Sequence, residues 1–313
     1  MRYSLAADVF EVLDNTSAWY RKKCDPEYRA AWESDLGLTP EDERWFERYA
    51  EIRKRHYPMP PEEEGPPILF APEKHDVLAD AFYAAGSVSD ALAALRPHLP
   101  PDDVDTLQRF YAAMQPRAQR WLDESGAFVE VATSLSARLD QADVRSFAER
   151  MARFYGVTPA ASFTVLLVWW PPVDHVTASN RGSTLLMKYN PVRHRDRAER
   201  DVDVPIHELA HFTSSRQSAE QKRDLSAAFL SSCASHPEPS PALLEEPLAV
   251  AQQKVFLSFA EPSRLHLEAP WYGGAPWTDG YAKRIYPSVR ARYEEGQPMD
   301  QAWMRSLGAR CMN

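Results

Sequence analysis

The chain contains the pentapeptide His207-Glu208-Leu209-Ala210-His211, and this pattern restricts its local structure more than any other feature. Side chains four positions apart on an α-helix share one face, about 5–6 Å apart at Cβ. A helix therefore lets both imidazoles reach one metal ion, and Zn²⁺ accepts neutral imidazole nitrogen in tetrahedral geometry. Glu208 lies about 100° around the helix from His207, where its carboxylate can take a proton from a metal-bound water.

The residues around the pentapeptide favour a helix and a buried face. Asp203 stands where an N-cap is expected, and Pro205 follows in the first turn, where a missing N–H costs little. Ile206, Leu209 and Phe212 give the helix apolar sides that partly bury the two histidines. Buried imidazoles need partners, so the context favours a metal site over a chance match or a core histidine.

A catalytic zinc ion keeps three protein ligands and one open position, so a third ligand is needed. One known pattern places a third His six residues after the second and a Gly before it, but Gln217 and Ser214 occupy those positions. A carboxylate from a later helix is the other common solution. Glu245 and Glu246 lie in the segment 243–252, which starts a helical pattern of apolar residues. Acidic residues are also common at helix starts without further function.

The pentapeptide together with Glu246-Pro247-Leu248-Ala249 resembles the gluzincins, the zinc metallopeptidases that include thermolysin-like and aminopeptidase-N-like enzymes. The resemblance covers about residues 160–290. It implies Glu246 as the third zinc ligand, with Glu245 as the alternative. It also implies hydrolysis of peptide or protein substrates, with Glu208 activating a zinc-bound water. Thermolysin-like members carry an Asp that orients a histidine where this chain has Val250, so that orienting partner is unidentified.

The resemblance also implies a donor that stabilises the oxyanion and a strand that binds the substrate. Tyr272, His266, Tyr286 and Tyr281 are candidates for the donor, and Tyr281 is preferred because it lies at the start of a predicted helix. An ordinary half-buried aromatic residue explains Tyr281 equally well. The stretch 182–186 is the candidate for pairing with the substrate backbone, and a purely structural strand is the alternative.

The overall pattern predicts an α+β fold that is predominantly helical. A helical N-terminal region is expected over 1–157, followed by a metallopeptidase-like catalytic region over 158–313 with a small β-sheet and the helix of the pentapeptide. Strands are predicted at 163–170 and 182–189. Besides the helix of the pentapeptide, helices are predicted at 39–56, 101–124, 127–155, 218–234, 244–260, 279–295 and 299–309.

Composition limits the possible partners. The 313 residues are 44% hydrophobic and carry a net charge of −9, and no basic tract is long enough to follow a phosphate backbone, so nucleic acid is not expected. The longest apolar run, which ends at Trp170, is too short for a membrane span. Cys24, Cys233 and Cys311 are interpreted as packing residues.

The compartment and the alternative function stay open at this stage. No secretory signal opens the chain as given, which indicates the cytoplasm, whereas a removed signal would indicate the periplasm or secretion. The alternative to a peptidase is a catalytically inactive binding or assembly module that keeps the metallopeptidase scaffold. Retention of Glu208 favours the enzyme, because such a module has no need of a general base.

Overall fold

The computed structural model describes residues 1–21, 23–57, 68–70, 75–198, 201–233, 240–273 and 275–311. The chain forms two compact units, one of residues 1–61, 74–136 and 164–200, the other of 62–73, 137–163 and 201–313. This division differs from the expected boundary at 157/158. The reason is that strand residues pack on the N-terminal helices: the backbone amide of Trp169 donates to Asp8, and its carbonyl accepts from the Tyr28 hydroxyl, each at 2.5 Å.

The predominantly helical α+β class is confirmed. The strands are β1 (Arg2–Tyr3), β2 (Thr164–Trp169), β3 (Thr177–Arg181) and β4 (Thr184–Tyr189). The helices are α1 (Leu5–Thr16), α2 (Pro26–Asp35), α3 (Pro40–His56), α4 (Val77–Ala84), α5 (Val88–Leu95), α6 (Pro101–Glu124), α7 (Phe128–Gln141), α8 (Val144–Tyr155), α9 (Arg195–Ala198), α10 (Val204–Ser215), α11 (Ala219–Leu230), α12 (Pro241–Ala260), α13 (Pro276–Glu295) and α14 (Gln301–Gly308).

The sheet has the order β1-β2-β4-β3, with β3 antiparallel to β4 and the other pairs parallel. The two predicted strands are β2 and β4, whose nearly continuous burial is typical of central parallel strands. Gly182, at φ +58°, starts the turn between β3 and β4. The expectation that 182–186 pairs with substrate is wrong, because β4 is already hydrogen-bonded to β2 on one side and to β3 on the other.

The single helix predicted over 127–155 is two helices, α7 and α8. The chain breaks at Asp143, which adopts φ +51° and whose carboxylate accepts a hydrogen bond from the Ser146 amide at 3.3 Å. Asp143 is thus the N-cap at which α8 starts as a separate helix. The apolar periodicity continues across the break, so it could not reveal where one helix ends.

Helix α10 begins as predicted, but Asp203 does not cap it with its side chain. The Asp203 carboxylate instead accepts from Gln253 Nε2 at 2.9 Å and from Lys254 Nζ at 3.3 Å. Because both partners lie on α12, Asp203 ties the start of the histidine helix to the helix that carries the two glutamates.

Pro247 lies inside α12, as the seventh residue of the helix. Proline has no N–H, so the carbonyl four residues earlier loses its helical donor. That carbonyl belongs to Leu243, and it accepts from the Trp277 indole at 3.4 Å. A tertiary contact thus compensates for the proline immediately after Glu245 and Glu246.

A disulfide joins Cys233, after α11, to Cys311, after α14, with the Cα atoms 5.7 Å apart. The interpretation of these two cysteines as simple packing residues is therefore wrong, whereas Cys24 is buried and not disulfide-bonded. Cys233 and Cys311 are 78 positions apart in the sequence, so no local pattern indicated that they pair. Across the described ranges, none of the helices combines the length and apolar character that crossing a bilayer requires.

Candidate metal centre

Helix α10 presents two histidine side chains to the same small space. His207 and His211 are one turn apart, their ring centroids are 4.7 Å apart, and their Nε2 atoms are 3.1 Å apart. Four-residue spacing on a helix produces this neighbouring arrangement. His211 is buried and His207 is half-buried, so both rings are held by the surrounding protein.

Glu246 on α12 completes a three-residue cluster, and we call His207, His211 and Glu246 the metal cluster. Its Oε2 lies 3.4 Å from His207 Nε2, and its Oε1 lies 3.5 Å from His211 Nε2. Two ligand atoms bound to one tetrahedral Zn²⁺ at roughly 2.0–2.1 Å are about 3.3 Å from each other. The observed separations match that edge length, so the cluster can hold a metal ion.

Glu245 lies behind His211 rather than in the metal cluster. It is fully buried, its Oε1 is 3.3 Å from His211 Nδ1, and its Oε2 accepts from the Ser214 hydroxyl at 3.1 Å. A carboxylate on Nδ1 holds the ring so that Nε2 faces the metal position. The sequence offered no residue for such a contact at Val250, and in the structure Glu245 makes it.

Electrostatics in the cluster reflect close contact between the histidines and the carboxylates. Burial disfavours the charged form of His211, but the hydrogen bond to Glu245 and the negative charges of Glu246 and Glu208 outweigh it and raise its pKa to about 9. Burial disfavours the charged form of Glu246 as well, yet the two imidazoles lower its pKa to about 2. The attraction between the two histidines and the carboxylates thus favours the protonated form of His211 and the ionised form of Glu246.

Glu208 is buried beside the cluster, one position after His207. Its negative charge contributes to the raised pKa values of both His211 and Tyr272, so its carboxylate is close enough to act on both electrostatically. Within the described segments its side chain has no hydrogen-bond or ion-pair partner. A carboxylate in this position is available to a water molecule at the cluster.

Tyr272, in the loop between α12 and α13, reaches the metal cluster from another direction. Its hydroxyl donates to Glu246 Oε2 at 3.3 Å, and its ring lies nearly parallel to that of His207 with centroids 6.2 Å apart. Burial and the neighbouring Glu246 charge raise its pKa to about 12. Tyr272 therefore stays a neutral hydrogen-bond donor near neutral pH.

The preferred sequence candidate for the oxyanion donor, Tyr281, is not at the metal cluster. Its side chain is buried, and its hydroxyl donates to the Leu307 carbonyl at 2.8 Å. Helix α13 begins at Pro276, earlier than expected, and directs Tyr281 toward α14. Tyr286 packs against Trp271, and the His266 carbonyl accepts from the Trp271 indole.

Two further residues adjoin the site, Phe70 and Lys222, and sequence reasoning missed both. The Phe70 ring meets the His211 ring edge-on with centroids 5.1 Å apart. Lys222 is fully buried, and its ammonium donates to the Phe70 carbonyl at 2.9 Å and to the Ser215 carbonyl at 3.4 Å. The Glu245 amide donates to the Ile68 carbonyl at 3.3 Å. These contacts join distant parts of the chain, so no local pattern signals them.

Comparisons of the chain with protein-family models, with curated proteins and with solved structures find no match. The resemblance to gluzincins therefore depends on the residues of the two sequence motifs alone.

Proposed function

We propose that this protein is a zinc-dependent peptidase in which Glu208 activates the water that attacks a peptide bond. The observation that carries the proposal is the convergence of two imidazole Nε2 atoms and the Glu246 carboxylate at 3.1, 3.4 and 3.5 Å. Two imidazoles and one carboxylate are a ligand set of catalytic zinc and leave one tetrahedral position open. Mg²⁺ and Ca²⁺ prefer sets made of oxygen ligands.

The chain supplies residues for each part of the proposed chemistry. When bound, zinc would lower the pKa of water and polarise the substrate carbonyl. Glu208 takes a proton from the attacking water and passes it to the leaving amine. Glu245 keeps the His211 ring oriented. Tyr272 replaces Tyr281 as our candidate for the group that donates a hydrogen bond to the developing oxyanion.

The test compares zinc-loaded wild type with Glu208→Gln on a broad peptide library, with cleavage detected by mass spectrometry. Glu208→Gln preserves the shape of the side chain but removes the base, so we expect cleavage to fall by about 10²–10⁴-fold while zinc is retained. Glu220→Gln, at an exposed position of α11, is the matched control and should cleave like the wild type.

The alternative function makes the opposite forecast. Equal inactivity of the wild type and Glu208→Gln, with zinc bound to both, would reject the peptidase and favour a binding or assembly module.

A further inference from the structure

The loop that carries Tyr272 is held to α13 by one carboxylate. Asp279 lies in the first turn of α13, and its Oδ1 accepts hydrogen bonds from two consecutive backbone amides, those of Trp271 and Tyr272, the second at 3.1 Å. A carboxylate that accepts two adjacent amides fixes the peptide between them in position and in orientation. The direction in which the Tyr272 side chain leaves the backbone follows from that peptide.

Asp279 is itself fixed by its neighbours. Its Oδ2 pairs with Lys283 Nζ at 2.9 Å, one helical turn later, and these contacts lower its pKa so that it stays ionised. The Lys283 ammonium lies 5.8 Å from the centre of the Trp271 ring, and the Trp271 indole donates to the His266 carbonyl at 2.9 Å. We call Asp279, Lys283 and Trp271 the loop brace.

We propose that Asp279 is a positioning residue for the metal cluster, which it controls through Tyr272. The brace holds the Tyr272 ring along His207 and its hydroxyl on Glu246 Oε2, at 3.3 Å. Tyr272 thereby limits rotation of the carboxylate, so that both Glu246 oxygens stay directed at the histidines. The expected effect on zinc affinity rests on the proposed function, whereas the placement of Tyr272 by Asp279 does not depend on the metal.

The first test measures zinc affinity by competition with a chelator in a set of variants. Hydrogen-bond partners of metal ligands typically contribute about 10–100-fold to metal affinity, so we expect a loss in that range for Tyr272→Phe and for Asp279→Ala. Asp279→Asn keeps an oxygen for both amides and should stay close to the wild type. In a Tyr272→Phe background, Asp279→Ala should cause no further loss, because the two residues act in series.

Asp300→Ala is the matched control. Asp300 accepts from the Trp303 amide at 2.8 Å and pairs with Arg292 at 3.0 Å, so it makes the same kinds of bonds at the start of α14. Its loss should lower stability without changing zinc affinity. Equal weakening of zinc binding by Asp300→Ala, or an undiminished effect of Asp279→Ala in the Tyr272→Phe background, would overturn the proposal.

A second test does not need the metal. Because the Tyr272 ring lies nearly parallel to that of His207, it should shift the NMR resonances of the His207 imidazole in the metal-free protein, and Tyr272→Ala defines the unshifted value. Asp279→Ala should move the His207 resonances toward that value, and Asp279→Asn should not. A wild type that binds no zinc would reject the proposed function alone, whereas unchanged His207 resonances in Asp279→Ala would reject the positioning role alone.

Discussion

Each of the two compact units buries a group of ionisable side chains, and the two groups are built in opposite ways. In the first unit Lys188 Nζ lies 3.0 Å from Glu11 Oε2 and 2.7 Å from Asp25 Oδ2, and the Tyr83 hydroxyl donates to Glu11 at 2.5 Å. Every close contact there joins a donor to an acceptor. In the metal cluster, two ring nitrogens and a carboxylate converge on one point.

Lys188 and Lys222, which are both fully buried among the described residues, show the same contrast. Burial disfavours the charged form of both lysines. At Lys188 the negative charges of Glu11 and Asp25 outweigh the effect of burial and raise the pKa of Lys188 above the usual lysine value. At Lys222 the hydrogen-bond acceptors are backbone carbonyls, and burial outweighs the attraction of Glu245 and lowers the pKa. The charge of Lys188 is thus balanced by side chains, whereas the metal cluster of the other unit could hold a metal ion.

The comparison teaches how a structural polar group differs from a candidate site. A buried ion pair with its hydrogen bonds complete needs no further partner. Three groups that direct lone pairs at each other are favourable only when a proton or a metal ion lies between them. We therefore expect removal of side chains from the two groups to affect different properties of the protein.

The largest expected effect is loss of the metal in His211→Ala. Removing one of three ligands leaves too few donors for tight binding, so elemental analysis of metal-replete protein should find zinc in the wild type and none in the variant. The exposed His175→Ala should retain zinc. Stoichiometric zinc in His211→Ala would remove the proposed site.

Lys188→Met should act on stability alone. Removing one partner of a buried ion pair leaves uncompensated charge and typically costs about 3–5 kcal/mol in the free energy of unfolding. We expect urea denaturation to show a loss of this size while zinc stoichiometry stays unchanged. The exposed Lys54→Met should change stability by less than about 0.5 kcal/mol. Zinc loss in Lys188→Met would break the distinction between the two groups.

We expect Glu246→Gln to lose more zinc affinity than Glu245→Gln. Glu246 contacts both Nε2 atoms, whereas Glu245 orients His211 from behind, and its substitution should weaken zinc binding by about 10–100-fold. Isothermal titration of the two variants measures both losses under one condition. The reverse ranking would make Glu245 the ligand.

The smallest expected effect is on the pH dependence of stability. The lowered pKa of Lys222 means that the unfolded chain binds more protons just below the ordinary lysine pKa of about 10.4, so stability rises with pH in that window. The raised pKa of Lys188 has the opposite effect on stability. Lys188 contributes its full stabilisation below the ordinary lysine pKa, and this stabilisation is lost as pH rises through the pKa of Lys188 in the folded protein.

Urea denaturation at several alkaline pH values, with the wild type compared with Lys222→Met, isolates the first effect, because contributions common to both proteins cancel. A steeper rise of stability with pH in Lys222→Met than in the wild type would show that Lys222 gains charge stabilisation in the fold.

Several elements of the fold could be predicted because their signals are local. Helix α6 has the predicted bounds, and α3 begins one residue after Thr39, whose side chain forms a capping box with Asp42. Strands β2 and β4 are continuous apolar runs. By contrast, the helix break at Asp143 depends on a single backbone angle, and the disulfide joins Cys233 to Cys311, which lies far along the chain. Neither feature has a local sequence signal.

The sequence by itself determined that His207 and His211 share one helical face and that Glu208 lies beside them. The reason is that helical geometry depends only on spacing. Only the tertiary structure decided that Glu246 joins the cluster while Glu245 supports His211, and that Tyr272, not Tyr281, reaches the cluster. Those outcomes depend on how separate helices and a loop pack, and no local pattern encodes the distances between them.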